Sequence, residues 1–158
     1  MKKIIGLSFI AAVVCLTSCK KDYVPGTTNL KNASNNWWVT VSVDGVDQIG
    51  TSVLLDTYNT AADKDSIWVD DLQNIWAFKC KAAFNNSDLT FQTKGSQNEY
   101  YGLKVKLENG KILPKAGHSK SGVVTDSIYM EAHFPDDPSN STWVIAGVAR
   151  TGLVEDDY

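Results

Sequence analysis

His118 and His133 are the only imidazoles in the 158 residues, so serine or cysteine hydrolase chemistry would have to be built on one of them. His118 lies in Ala116-Gly117-His118-Ser119-Lys120-Ser121-Gly122. Two serines stand close by, and a loop can carry a catalytic group. The stretch has neither a G-x-S-x-G elbow nor an S-x-x-K element, so a polar loop is the stronger reading of it. His133 falls on the polar side of an alternating segment and reads as a surface residue. Asp70-Asp71 offers paired carboxylates, but neighbours on a strand point to opposite faces and cannot readily flank one glycosidic bond. Asp71 reads instead as the opening of a turn through Leu72-Gln73-Asn74. Asp136 and Asp137, between Pro135 and Pro138, lack the spaced oxygen ligands of a calcium loop and read as a solvated turn. No Cys/His set has zinc spacing, and neither a metal nor a cofactor is expected. Cys80 sits in an apolar row and reads as an inert core thiol rather than a nucleophile.

Aromatic residues offer more than the titratable ones. Trp76, Phe78 and Tyr101, together with Met130, would suit an apolar cavity for an acyl or aromatic ligand, with Tyr101 supplying a polar handle. For any one of these residues, a place in a packed aromatic core is the simpler role.

The elements that must position them alternate with period two, which is the pattern of half-buried strands. Trp37, Val39, Val41 and Val43 share one face of a first strand, and Asp44-Gly45 supplies a hairpin turn. Strands are predicted over Thr51 to Thr57 and Ser66 to Asp70. A further strand sets Trp76, Phe78, Cys80, Ala82 and Phe84 on one face against Lys79 and Lys81 on the other. Leu89 to Thr93 follows, and then Tyr101, Leu103, Val105 and Leu107 lead to a second hairpin signal at Asn109-Gly110. Ile128, Met130, Ala132 and Phe134 line one side of a long strand, and a last strand runs from about Thr142 to Arg150. About eight strands joined by tight turns fit an antiparallel meander, closed as an up-and-down barrel or folded as a two-sheet sandwich. A lipid-spanning barrel is disfavoured, because several strands are short and lysines occupy the outward face.

The N-terminus carries a different kind of signal. Lys2 and Lys3 precede an apolar run from Ile4 to Leu16, and Thr17 and Ser18 end it, which reads as a secretory signal peptide over residues 1–18. Thirteen apolar residues would cover about 20 Å, short of the roughly 30 Å hydrocarbon core of a bilayer. Leu16-Thr17-Ser18-Cys19 resembles the lipobox of bacterial lipoproteins, which implies cleavage before Cys19 and lipid on its thiol. Acyl chains contribute about 0.8 kcal/mol per buried methylene, so two or three of them would hold the protein on a membrane. Residues 19–35, rich in polar and turn-forming types, are expected as a flexible tether, leaving 36–158 as one domain. Cys19-Lys20-Lys21-Asp22 partly resembles the charged signals that send some Gram-negative lipoproteins to the cell surface, although a solvated linker explains it as well. The first eighteen residues hold two of the fifteen bases and none of the eighteen acids. The remainder is therefore acidic, which disfavours nucleic acid as a partner. With Cys15 lost and Cys19 lipidated, Cys80 has no disulfide partner, and stability must come from packing.

Thr57-Tyr58-Asn59-Thr60-Ala61, Trp68-Val69-Asp70-Asp71, Asp126-Ser127-Ile128-Tyr129 and Arg150-Thr151-Gly152, taken in order, resemble the lipid-binding putative hydrolase family of small Gram-negative lipoproteins. The resemblance covers roughly Trp37 to Asp157 and implies a closed, calycin-like or lipocalin-like antiparallel barrel with an apolar cavity. The wider calycin pattern implies a barrel closure in which Trp37 packs against Arg150, with a ligand-binding Arg150 as the alternative. Guanidinium over indole contributes about 0.5 to 2 kcal/mol. The function expected from all of this is a lipoprotein of the cell envelope, on the outer membrane, whose barrel binds a small apolar or lipid-like molecule. A lipid-directed hydrolase and a non-catalytic structural subunit of an envelope complex are the alternatives.

Overall fold

The computed structural model describes residues 27–158. The signal peptide, Cys19 and the Cys19-Lys20-Lys21-Asp22 stretch lie outside the described residues. Nine strands make one antiparallel sheet: β1 Asn35–Val43, β2 Val46–Asp47, β3 Val53–Asn59, β4 Ser66–Asp70, β5 Lys79–Asn85, β6 Thr90–Gln97, β7 Lys104–His118, β8 Val124–His133 and β9 Trp143–Ala149. β1 pairs with β3 through Asn35 to Val39 and with β9 through Trp37 to Val43, so the meander shuts on itself. The result is a closed eight-stranded up-and-down barrel with the short β2 as an extra strand. Closure leaves the long strands without free edges.

Alternation places the core where the sequence puts it. Val39 and Val41 of β1, Cys80 and Ala82 of β5, Leu107 of β7 and Met130 of β8 are all buried inside. The interior is filled with side chains, one of the two outcomes that eight strands allow. At Asp44-Gly45 both residues take positive φ (50° and 76°), which turns β1 directly into β2.

Three expectations change. The strand expected from Trp76 starts only at Lys79, because Ala77 has φ 52° and the preceding backbone N–H groups bond to Asp71 instead of to a neighbouring strand. Asn109-Gly110 is not a hairpin but a bulge inside the long β7. Asn109 takes φ 53°, the β7–β8 register shifts between Glu108 and Lys111, and Ile112 resumes the buried row. The loop expected around His118 shrinks accordingly, with His118 ending β7. Thirdly, the expected tether gives way to packed chain before Asn35. Leu30, which precedes a single 3-10 turn over Lys31–Ala33, and Ala33, which ends it, are buried in the core cluster.

Candidate functional site

The two ends of the barrel are covered by different means. At one end, here called the floor, the 3-10 turn lies under β1 and β3. The Trp37 indole N–H donates to Thr57 Oγ1 at 2.8 Å, and Thr57 in turn donates to the Ala33 carbonyl at 2.5 Å. This neutral chain is buried throughout, and it satisfies the one polar atom of a fully buried tryptophan.

At the other end, the mouth, the β4–β5, β6–β7 and β8–β9 connections bring aromatic rings together. Trp76 stacks on Phe134 (centroids 5.0 Å apart, planes 8° apart) and meets Trp143 edge-on at 4.8 Å. Phe134 in turn touches Phe78 at 5.5 Å. Phe78 and Phe134 are buried, whereas Trp76 and Trp143 are half-buried, so the stack runs from the core to the rim. Carboxylates hold the rim. Trp76 donates its indole N–H to Asp136 Oδ1 at 3.0 Å, and Trp143 donates to Asp137 Oδ2 at 3.0 Å. The Trp143 indole, with the Ser139 and Ser141 amides, brings the Asp137 carboxyl down to about 2.

Asp71 shapes the loop that carries Trp76. Its buried carboxylate accepts from the backbone N–H groups of Gln73, Ile75, Trp76 and Phe78 at 2.8 to 3.1 Å. Burial raises its pKa, and those four N–H donors oppose the rise. Asp70 points the other way, as strand alternation requires, and accepts from Tyr100 (2.7 Å) and Tyr58 (3.1 Å) on the outer surface. Burial works against its ionisation, but the Tyr100 hydroxyl, the Leu72 amide, Tyr58 and Lys79 together keep its pKa below the ordinary value. The adjacent pair thus serves two loops and does not flank a common bond.

Of the four residues expected around a ligand, Trp76 and Tyr101 meet at the mouth, where the Tyr101 hydroxyl donates to the Trp76 carbonyl at 3.3 Å and lies 3.5 Å from Asp136. Burial, followed by the Asp136 charge, raises the pKa of Tyr101. Phe78 lies beneath them, and Met130 lies deeper on β8, on the same inner face as Phe134. Sequence alone missed Phe134, Trp143, Asp136 and Asp137 as members of this cluster. The signal for Phe134 and Trp143 was present in their inward parity, but no local pattern announces an indole reaching across to an aspartate on another loop.

Other candidates fall elsewhere. Ser119 Oγ accepts from the Val123 amide and shares a hydrogen bond with Ser121, two contacts that close the β7–β8 turn without involving His118. His133 pairs with Glu108 at 3.2 Å on the outer face. Burial drives the Cys80 thiol up to about 12, which leaves it unreactive. Among the described residues no three His, Cys, Asp or Glu side chains are grouped to hold a metal ion.

The expected contact between Arg150 and Trp37 is replaced by one with the next residue. Trp37 faces inward opposite Ala149, so Arg150 points outward and lies over Trp38, 5.9 Å from its ring, while it grips Asp157 through two bonds of 2.6 and 2.7 Å.

A closed meander barrel with a chain-sealed floor and a loop-borne aromatic mouth is the class of protein these features define. The model of the family described as "Lipid-binding putative hydrolase" matches residues 22–154, and the chain belongs to that family. No curated protein matches the chain.

Proposed function

We propose that this protein is a lipoprotein of the bacterial cell envelope, fixed to the outer membrane by lipid on Cys19, and that its barrel takes a small apolar or lipid-like ligand at the aromatic mouth. The observation that carries the reading is the stack of Trp76, Phe134 and Trp143, which leaves two indoles half-exposed above a buried apolar interior. Half-exposed aromatic faces gain from being covered, and an acyl chain or aromatic ring is the group that covers them without losing hydrogen bonds. Tyr101 and Asp136 stand beside the stack to meet a polar end. Membership of a family described as lipid-binding supports the same ligand class. The filled interior means that a ligand reaching deeper than the rim must displace Trp76 or Phe134. The loops that carry them are the parts of the barrel able to move without breaking strand pairing.

Titrating decanoate into the full chain while following tryptophan emission tests the ligand. Wild type should saturate, and Trp76→Ala should bind about tenfold more weakly, as expected for loss of one aromatic contact. An emission spectrum indifferent to decanoate would remove the mouth as a lipid site. For the anchor, labelled palmitate should enter the wild-type chain and not Cys19→Ser. Equal labelling of the two would dismiss the anchor at Cys19.

A further inference from the structure

We propose a second binding site, for a short saccharide, in the half-open concavity of about 490 Å³ on the outer side of β5, β6 and β7. The volume is in the range of small-molecule sites, but the chemistry differs from that of the mouth. Around the concavity Ala83, Asn85, Gln92, Asn109 and Lys111 are exposed and alternate with buried Phe84, Phe91 and Ile112, so polar side chains rim a surface to which Ala83, Phe84 and Phe91 add apolar patches of the kind a sugar ring can cover.

The lining is held ready rather than satisfied internally. Gln92, Lys111 and Asp65 make no side-chain hydrogen bond or ion pair with another described residue. Asn85 accepts the Ser87 amide through Oδ1, leaving its NH₂ group to donate. Asn109 donates to Glu131 at 2.9 Å and keeps its amide oxygen as an acceptor. Thr90 donates to Asp88 at 2.7 Å and retains lone pairs. Donors are thus supplied by Asn85, Gln92 and Lys111, and acceptors by Asn109, Gln92, Thr90 and Asp65.

This balance selects the ligand class. An anion calls for an excess of donors and a cation for an excess of acceptors, while an apolar ligand would leave all of these groups dry and unpaired. A hydroxyl both gives and accepts, so a chain of hydroxyl groups matches a lining that alternates the two. Lys111 on β7 and Asp65 just before β4 balance each other and leave the site close to neutral. The backbone is shaped for it as well. The bulge at Asn109 turns that amide out of the regular ladder, and bulges recur beside binding sites for this reason. Gly110 lets β7 pair closely with β6 beneath the concavity, because a Cβ there would collide with the carbonyl and ring of Phe91.

The site is independent of the ligand proposed for the mouth. Side-chain amide resonances of the ¹⁵N-labelled full chain, in micelles of a detergent without a sugar headgroup, would be followed during titration with maltose, cellobiose and N,N′-diacetylchitobiose. At least one disaccharide should shift Asn85, Gln92 and Asn109 together and saturably, and Gln92→Ala should weaken that binding about tenfold with an unchanged melting temperature. No saturable shift with any of the three, shifts confined to the mouth, or undiminished affinity in Gln92→Ala would each overturn the assignment. Tryptophan emission with decanoate, read on the same sample, keeps the fate of the mouth separate.

Discussion

The floor and the mouth of this barrel cover the same kind of apolar interior, yet one is sealed by the chain and the other by side chains on loops. At the floor, Leu30 and Ala33 are part of the core, and the polar link from Trp37 through Thr57 to Ala33 contains no ionisable group. At the mouth, Trp76 and Trp143 are held by Asp136 and Asp137, and the loop bearing Trp76 is wound around Asp71. A closed barrel can therefore assign permanence to one end and adjustability to the other. The difference lies in whether the covering group is continuous with a paired strand or hangs on carboxylate contacts that solvent can reach.

The largest effect should come from the permanent end. Trp37→Ala removes a fully buried indole and the donor to Thr57, whose hydroxyl keeps only its bond to the Ala33 carbonyl. It should cost about 4 kcal/mol in urea unfolding, with loss of the whole barrel in one transition. A cost below about 1 kcal/mol would make the floor no firmer than a surface loop. Next in size, Asp71→Ala leaves four backbone N–H groups at the mouth without their acceptor and should cost about 3 kcal/mol. Hydrogen exchange should show the β4–β5 loop opening while β1, β3 and β9 stay protected. Uniform loss of protection would mean that the two ends are a single cooperative unit.

The smallest effect is a response to acid. The Asp137 carboxyl is depressed from 3.8 to about 2. Its contact with Trp143 thus stabilises the fold fully above about pH 3.8, and that contribution is lost as pH falls through about 2. In fluorotryptophan NMR the Trp143 signal should move across that window while Trp37 stays still. Asp156 near the C-terminus is also depressed to about 2, through the Thr151 hydroxyl, so a melting curve mixes two events that a residue-resolved signal separates. Equal movement of Trp37 would mean that the titration of Asp156, which bonds Thr151 and Ser121 at the same end of the barrel as Trp37, reaches the neutral link.

The barrel was legible in the sequence because a strand with one wet face writes its parity into every second residue, as in Cys80, Ala82 and Phe84 against Lys79 and Lys81. The same rule misled at two places. Trp76 keeps the parity of β5 but lies on a loop, since Asp71 draws in the amides that a strand partner would have used. Asn109-Gly110 has the composition of a hairpin turn, and inward Leu107 and Ile112 suit a turn as well as a bulge, so only the pairing of both flanks with β8 shows that the strand runs on. The site was half legible. Trp76 and Tyr101 stood among the four residues expected around a ligand, but their partners come from a loop some 35 to 60 residues away in sequence. Only the closed topology brings that loop to the same rim. Leu30 and Ala33, set in polar chain, read as tether because nothing local shows that the open end of a barrel lies above them.

The most direct test follows all five tryptophans at once by fluorotryptophan NMR as decanoate is added to the full chain. Saturable shifts are expected at Trp76 and Trp143, with Trp37, Trp38 and Trp68 unmoved. Saturable shifts at Trp37, or binding that leaves Trp76 and Trp143 where they were, would contradict that expectation.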